Sequence, residues 1–276
     1  MIDINNLAFS YGQNEVLRNI NLKLEPGRIY GLLGENGVGK TTLLTLLCGL
    51  KKTQSGSIVA DGRTPYDRLP EFLQDLSYLP DEVAPVNDTA YRWAKSTGRL
   101  WPNFSLDKFL EIMNVFENDP AKKMNAMSNG QLKKTYISFI LACSTKYILM
   151  DEPTNGLDIP SKAQFRSAIM KFTPEDSIIV ISTHQVRDLE NIIDPIIILD
   201  KQDVLLNATV EQITGKLFFD YGNTLHNESL YSEQLPGGFI QVYPNVEGIE
   251  SKVNVEALFN AVHKNKETIK KLFENE

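Results

Sequence analysis

The sequence predicts an α/β protein built on a buried parallel sheet, and three observations support this. A glycine-rich stretch at 34–41 lies between a short apolar run at 29–33 and a helical run at 42–48. The apolar run within 147–152 ends in two acidic residues, and the run within 178–184 ends in a histidine. Short apolar runs of this kind are typical of strands buried on both faces. Because ligands in such sheets bind at the carboxyl ends of the strands, we expect a site where these polar ends meet.

The glycine-rich stretch fits Gly-x-x-x-x-Gly-Lys-[Ser/Thr] at every fixed position. A strand before it and a helix after it are the context in which this pattern binds phosphate. Its glycines allow several backbone N–H groups to point into one hollow, and the helix N-terminus adds partial positive charge. Lys40 is expected to reach the β- and γ-phosphates, and the Thr41 hydroxyl to hold Mg²⁺. The predicted nucleotide-binding residues here are Gly34, Glu35, Asn36, Gly37, Val38, Gly39, Lys40, Thr41 and Thr42.

The acidic pair and the histidine are the predicted chemical groups. Asp151 and Glu152 follow four apolar residues, which places both carboxylates at the carboxyl edge of the sheet. Asp151 is predicted to hold Mg²⁺, directly or through water, and Glu152 to polarise an attacking water. His184 ends another buried strand, from which an imidazole nitrogen could donate to a phosphate oxygen.

Three further features each allow a structural and a functional interpretation. Tyr11 is either an ordinary aromatic at a strand end or a ring placed to stack on adenine. Ser128 and Gln131 form a capping box that begins a helix, or, with the Gly130 N–H, a second anion site. Asp81 follows a short apolar run that is a candidate strand. It belongs to a solvated loop, unless this strand neighbours the strand at 29–33 that precedes the glycine-rich stretch.

Composition narrows the class of protein. The 276 residues are 42% hydrophobic with a net charge of -7, which argues against non-specific nucleic-acid binding. The two cysteines, Cys48 and Cys143, lie in apolar runs, so we expect no disulfide and a reducing compartment. The N-terminus does not resemble a signal peptide, and no apolar run approaches the ~18 residues that span a bilayer. If the protein works at a membrane, another chain is expected to supply the span.

Two regions lie outside this pattern. Residues 83–127 carry scattered aromatic residues and a helical stripe, which predicts a helical insertion between two halves of the sheet. The tail from about 211 contains two candidate strands, near 217–219 and 239–243, and then a helical stripe from Val255 that residues near Ile269 could extend. We expect a small α+β appendage without a catalytic constellation.

Together, these features resemble the ATP-binding subunit of ABC transporters over residues 1 to about 205. The resemblance implies a P-loop NTPase core with an antiparallel β subdomain and a helical subdomain at about 83–145, followed by a C-terminal accessory domain at 206–276. The matches in chain order are Tyr11 to the adenine-stacking aromatic, 34–41 to Walker A, 127–131 to the Leu-Ser-Gly-Gly-Gln signature, 147–152 to Walker B with the catalytic Glu152, 155–158 to the D-loop and His184 to the switch histidine.

Three positions depart from the family pattern. Met127 replaces the signature leucine at similar volume, which should be tolerated. Asn129 replaces the first signature glycine; asparagine tolerates positive φ, but its bulk faces the expected position of the γ-phosphate. Asp81 stands where the family usually has the Q-loop glutamine. A carboxylate is still a ligand for Mg²⁺, although it adds negative charge near the triphosphate.

The resemblance also implies partners. Two copies of the chain would face head to tail, with each ATP held between the Lys40 loop of one copy and the Ser128 loop of the other. The pair would work on the cytoplasmic face of the membrane with a separate integral-membrane permease, and the short tail favours an exporter-type ATPase. Two alternatives stay open: a soluble relative acting on ribosomes or DNA, and a regulatory nucleotide-binding module with weak hydrolysis, which Asp81 and Asn129 would favour.

Overall fold

The computed structural model describes residues 1–273, which form twelve strands and nine α-helices. The strands are β1 (Ile2–Tyr11), β2 (Asn14–Leu24), β3 (Arg28–Leu33), β4 (Ser55–Ala60), β5 (Leu76–Leu79), β6 (Tyr147–Asp151), β7 (Ile178–Thr183), β8 (Ile196–Asp200), β9 (Asp203–Ala208), β10 (Leu217–Gly222), β11 (Tyr231–Leu235) and β12 (Gly238–Pro244). The helices are α1 (Lys40–Leu47), α2 (Pro70–Gln74), α3 (Ala90–Thr97), α4 (Leu106–Val115), α5 (Asn129–Ala142), α6 (Ile159–Phe172), α7 (Val210–Lys216), α8 (Val255–Lys264) and α9 (Lys266–Phe273).

A six-stranded sheet in the order β5-β6-β7-β3-β8-β9 forms the centre of the protein. Its first five strands are parallel, and β9 returns antiparallel to β8. Every residue of β6, β7 and β8 is buried, as expected for a parallel sheet covered on both faces. The predicted α/β class is therefore confirmed.

The strand order brings the predicted polar ends together. β6, β7 and β3 are adjacent, with Asp151 paired to Ser182 and Leu33 paired to Thr183. β5 lies on the outer side of β6, so Asp81 follows a strand of the same edge. Because all four strands run in parallel, the loops that leave their carboxyl ends lie side by side.

Two hydrophobic cores lie on opposite faces of this sheet, and alternate residues of each strand enter one or the other. In β6, Ile148 and Met150 enter a core shared with α4, α5 and α6. Tyr147 and Leu149 enter a second core shared with α1 and the antiparallel sheet β2-β1-β4. The period-2 alternation of a strand therefore joins the antiparallel region to one face and the helical region to the other.

The helical insertion is present as α3, α4 and α5, which pack on one another around aromatic side chains. Phe139 of α5 contacts the rings of Trp93, Trp101 and Phe104, with ring centroids 4.6–5.4 Å apart. Trp101 also donates its indole N–H to the carbonyl of Leu76 at 2.8 Å, which ties the insertion to the start of β5.

The C-terminal segment folds as an antiparallel sheet β10-β12-β11 covered by α8. The two predicted strands are present, but sequence reasoning missed β11, whose residues after Tyr231 are exposed. The helix that begins at Val255 does not run on to Ile269, because it ends at Lys264 with Asn265 as its C-cap, and α9 begins at Lys266. Buried residues of this segment join the core beneath the helical insertion.

Within residues 1–273, no helix has the length and apolar character to cross a membrane. Cys48 and Cys143 are both buried free thiols. Burial raises the pKa of both thiols, that of Cys143 to about 12, as expected for cysteines that act as small hydrophobic side chains.

Candidate functional site

The glycine-rich stretch forms a loop between β3 and α1 whose shape depends on glycine. Gly37 and Gly39 have φ angles of 83° and 113°, in the region that L side chains avoid. A Cβ on Gly39 would also lie 3.0 Å from side-chain atoms of Val16 and Leu17. The loop therefore turns tightly into α1, so that the N-terminus of this helix faces the edge of the sheet.

Lys40 is the first residue of α1, and its side chain is almost fully buried. Its ammonium donates to the carbonyls of Gly34 at 2.7 Å and Glu35 at 3.1 Å. The same Nζ lies 3.5 Å from a carboxylate oxygen of Glu152. The loop thus holds a cation next to the acid that ends β6.

Asp151 is a buried carboxylate with a donor on each oxygen. The Thr41 hydroxyl donates to Oδ2 at 2.5 Å, and the Ser182 hydroxyl donates to Oδ1. Thr41 comes from the phosphate loop, and Ser182 from the neighbouring strand β7. The structure therefore joins two of the three predicted magnesium-binding side chains, Thr41 and Asp151, through a direct hydrogen bond, and the third, Asp81, does not take part in it.

Glu152 and His184 form a second pair at the same edge. Glu152 adopts a positive φ of 45°, and its side chain is only 8% exposed. Its Oε1 lies 2.9 Å from the ring Nδ1 of His184, and the backbone N–H of His184 donates to Oε2 at 3.4 Å. Glu152 is thus oriented by the end of β7 and lies between His184 and Lys40.

Lys40, Thr41, Asp151 and Glu152 line one cavity of about 330 Å³, which we call the phosphate cavity, whereas His184 is not among its lining residues. Tyr11 lies on its wall with 48% of its surface exposed, and the phenolic oxygen is 3.4 Å from the Thr42 hydroxyl. Lys51 places its ammonium 4.9 Å from the centre of the Tyr11 ring. The cavity is lined by Tyr11, Asn14, Val16, Asn36, Gly37, Gly39, Lys40, Thr41, Thr42, Asp81, Asp151 and Glu152.

Three predicted binding residues lie elsewhere in the chain. Ser128, Gly130 and Gln131 are at the start of α5, where the capping box is confirmed. The Gln131 N–H donates to the Ser128 hydroxyl, and the Gln131 side chain accepts from the Ser128 N–H. These residues are not among those that line the phosphate cavity of the same chain.

Asp81 lines the phosphate cavity but binds residues behind it. Its backbone carbonyl accepts from Lys133 at 2.5 Å, and its carboxylate accepts from Asn155 at 3.3 Å. Burial lowers the pKa of Lys133, and the nearby Asp81 carboxylate opposes this effect. Asp81 is therefore close enough to a neighbouring cation that its own negative charge is partly compensated.

Sequence reasoning missed two side chains of this network. Ser182 lies inside a strand run, where a lone serine gives no signal of its contact with Asp151. Lys133 did leave a signal: it precedes Ile137 by one helical turn, on a face that is buried in α5. A lysine in an apolar stripe predicts a buried charge with a partner.

The donor set fits a magnesium–nucleotide complex. The loop supplies backbone N–H groups at a helix N-terminus, and Lys40 adds a cation, which together suit phosphate oxygens. Thr41 and Asp151 supply a hydroxyl and a carboxylate, the oxygen ligands that Mg²⁺ takes beside substrate phosphates. The fold and this site define a nucleotide-binding α/β ATPase.

Comparisons with known proteins agree with that class. The family model for ABC transporters matches residues 17–155. The lantibiotic transport ATP-binding protein SrtF of Streptococcus pyogenes is 32% identical over 237 residues, which cover 85% of this chain and 97% of SrtF. The ABC transporter ATP-binding protein YtrB of Bacillus subtilis (strain 168) is 31% identical over 192 residues, which cover 69% of this chain and 65% of YtrB.

The fold is also similar to solved structures. The dimeric bacterial ABC transporter cassette MJ0796 superposes with a TM-score of 0.68 at 23% identity, covering 76% of this chain and 98% of the cassette. The chain belongs to the ABC transporter family, among its ATP-binding proteins, and is an ATPase. The resemblance stated from the motifs is confirmed.

Proposed function

We propose that the chain binds Mg²⁺–ATP in the phosphate cavity and hydrolyses it in a dimer that drives a separate membrane permease. One observation carries this proposal above the others. Lys40, Thr41, Asp151 and Glu152, which come from two separate stretches of sequence, line a single cavity at the carboxyl edge of the sheet.

Each residue has a role that its contacts support. Lys40 and the loop N–H groups bind the phosphates, while Thr41 and Asp151 hold Mg²⁺, which neutralises phosphate charge when bound. Glu152 orients and polarises the attacking water. His184 holds the Glu152 carboxylate through its 2.9 Å contact, and its other ring nitrogen is available to a phosphate oxygen. Tyr11 stacks on the adenine ring.

A second copy of the chain would complete the site. The phosphate loop covers one side of a triphosphate, and Ser128, Gly130 and Gln131 lie away from that loop in the same chain. Their position at the N-terminus of a 14-residue helix suits an anion presented by another molecule. ATP bound between two copies would then favour the dimer, and hydrolysis would release it.

We further propose the division into an ATPase region at 1–205 and an accessory region at 206–276. The membrane partner is an integral permease, with this chain peripheral on the cytoplasmic face. The name of SrtF refers to lantibiotic transport, which supports a transport role for its relative here. Export, rather than import, stays our prediction.

The central test replaces Glu152 with glutamine. Glu152→Gln keeps the size of the side chain and one acceptor oxygen but removes the base, so we expect ATP turnover to fall at least 100-fold. The same variant should form a stable dimer with Mg²⁺–ATP, measured by light scattering after size-exclusion chromatography. Glu175→Gln is the matched control, because Glu175 is exposed and lies before β7, at the opposite edge of the sheet.

Two results would contradict this proposal. Full ATP turnover in Glu152→Gln would show that Glu152 does not polarise the attacking water. If this variant binds Mg²⁺–ATP but stays monomeric, even with its membrane partner present, the proposed dimer is refuted. Nucleotide binding without turnover in the unaltered chain would instead favour the regulatory alternative that Asp81 and Asn129 motivate, and co-purification with RNA or DNA would favour the soluble one.

A further inference from the structure

Asp81 belongs to the wall that separates two cavities. On one side is the phosphate cavity, which Asp81 lines with Thr41 and Asp151. On the other side is a second cavity of about 400 Å³, which Asp81 lines with Lys133 and Asn155. Its side chain is 47% exposed, so its charge is felt in both.

Lys133 binds Asp81 from the second cavity. Its side chain is only 5% exposed, and its Nζ donates to the Asp81 carbonyl at 2.5 Å and approaches Oδ1 at 3.5 Å. A buried ammonium is costly unless it is paired and hydrogen-bonded. Asp81 supplies both contacts, which explains how α5 accommodates a lysine on its buried face.

Asn155 fixes the same carboxylate oxygen. Its side-chain N–H₂ donates to Asp81 Oδ1 at 3.3 Å, and its side-chain carbonyl accepts from Gln185 at 3.1 Å. Its backbone N–H donates to the carbonyl of Glu152 at 3.1 Å. Through Asn155, Asp81 is therefore connected to the loops that carry Glu152 and His184.

We propose that Lys133 is a positioning residue of the ATPase site, which neutralises and holds Asp81 beside the triphosphate. Asp81 then anchors α5 to the loop after β6, in place of the metal contact predicted for it. The inference rests on the proposed function, since it concerns the effect of the Asp81 charge on a triphosphate bound in the phosphate cavity. The effective dielectric constant near a protein surface is about 20, well below that of water. An unpaired carboxylate at this wall would therefore repel the phosphates more strongly than it would in water.

The test is ATP affinity in full-length chains that carry Glu152→Gln to stop turnover. We expect Lys133→Met to raise the Kd for Mg²⁺–ATP about tenfold, because it leaves Asp81 unpaired. Adding Asp81→Asn to Lys133→Met should restore the Kd to within about threefold, and Lys133→Arg should keep most of the affinity. A purely structural role for Lys133 predicts no rescue by Asp81→Asn.

The control is Lys134→Met, which removes the next lysine of the same helix. Lys134 contacts the Phe116 carbonyl and the Ser161 hydroxyl, and neither lies near Asp81 in the network described. Its Kd should change less than twofold. If Lys133→Met does not fold, Lys133→Gln replaces it with the same expectation.

The outcomes separate this inference from the proposed function. No Mg²⁺–ATP binding by the Glu152→Gln chain itself would refute the proposed function. Normal binding there, together with an unchanged Kd in Lys133→Met or no rescue in the double variant, would overturn the inference alone. A tenfold higher half-saturating Mg²⁺ concentration in Asp81→Asn, with Lys133→Met unaffected, would show Asp81 to be a metal ligand and would also overturn it.

Discussion

Replacing Ser182 with alanine should destabilise the protein through Asp151. Asp151 is 1% exposed, and its two oxygens accept from Thr41 and Ser182. Ser182→Ala removes one of these donors, and the lack of exposure leaves little access for a replacement water. The Glu152 N–H also approaches the Ser182 hydroxyl, but it keeps the Ser182 backbone carbonyl at 3.1 Å as an acceptor. The substitution therefore mainly deprives the Asp151 carboxylate of a hydrogen-bond donor.

The expected size follows from the charge of the acceptor. A hydrogen bond to an ionised group contributes about 1.5–3 kcal/mol, roughly twice a neutral one. We therefore expect Ser182→Ala to lower the free energy of unfolding by about 2 kcal/mol at pH 7. Mg²⁺–ATP affinity should fall as well, because Asp151 loses the contact that orients it toward Thr41.

Ser138→Ala provides the matched control, measured by urea denaturation at the same pH. Ser138 is also fully buried, but its hydroxyl donates to the neutral carbonyl of Lys134 at 2.8 Å. The loss of this hydrogen bond is partly offset, because alanine has a higher helix propensity than serine, by up to about 0.7 kcal/mol. We expect a change below about 1 kcal/mol. Equal destabilisation in the two variants would refute the claim that the charge of Asp151 sets the cost.

Two other predictions concern Tyr11, which is proposed to stack on adenine, and Asp61, which binds the amino terminus. Tyr11→Ala should raise the Kd for ATP about tenfold, since stacking contributes about 1–3 kcal/mol per base, while Tyr11→Phe should change it less than twofold in the same titration; equal losses would exclude stacking. Burial raises the pKa of Asp61, but bonds from Lys146, the Met1 amino group and Tyr147 outweigh it and hold that pKa well below 3.8. The carboxylate therefore stabilises the fold above pH 3.8, and this contribution is lost as the pH falls toward the folded-state value. Asp61→Asn should cost about 1 kcal/mol in urea at pH 7, allowing for solvent screening, and progressively less as the pH is lowered below 3.8; a difference that does not depend on pH would contradict this account.

The sequence was sufficient for the sheet and for the residues at its carboxyl edge. The apolar runs that end at Leu33, Asp151 and Thr183 are fully or largely buried strands, because their apolar side chains face one of two cores. Strand order could not be read from local patterns. The strands β6, β7 and β3 are not all consecutive in sequence, and the expectation that their polar ends meet came from the general rule that ligands bind at the carboxyl ends of parallel strands.

Local signals were weaker where tertiary contacts decide the structure. β11 is exposed after Tyr231, so it lacks the alternation that marks a strand with one buried face. Asn265 ends α8, and its side chain donates to the carbonyls of Leu230 and Ala261, a contact that depends on the sheet beneath. Residues near Ile269 therefore form the separate helix α9 and do not extend α8, and the apolar spacing of the sequence gave no information on this break.

The partners of Asp81 show the same limit at the site itself. From the sequence, Asp81 was a carboxylate in place of a glutamine, and its added negative charge near a triphosphate seemed unfavourable. In the structure, Lys133 lies behind it, 52 residues further along the chain, and Asn155 contacts the same oxygen. A departure from a family pattern therefore has to be weighed with the residues that surround it, because a second position can compensate its charge.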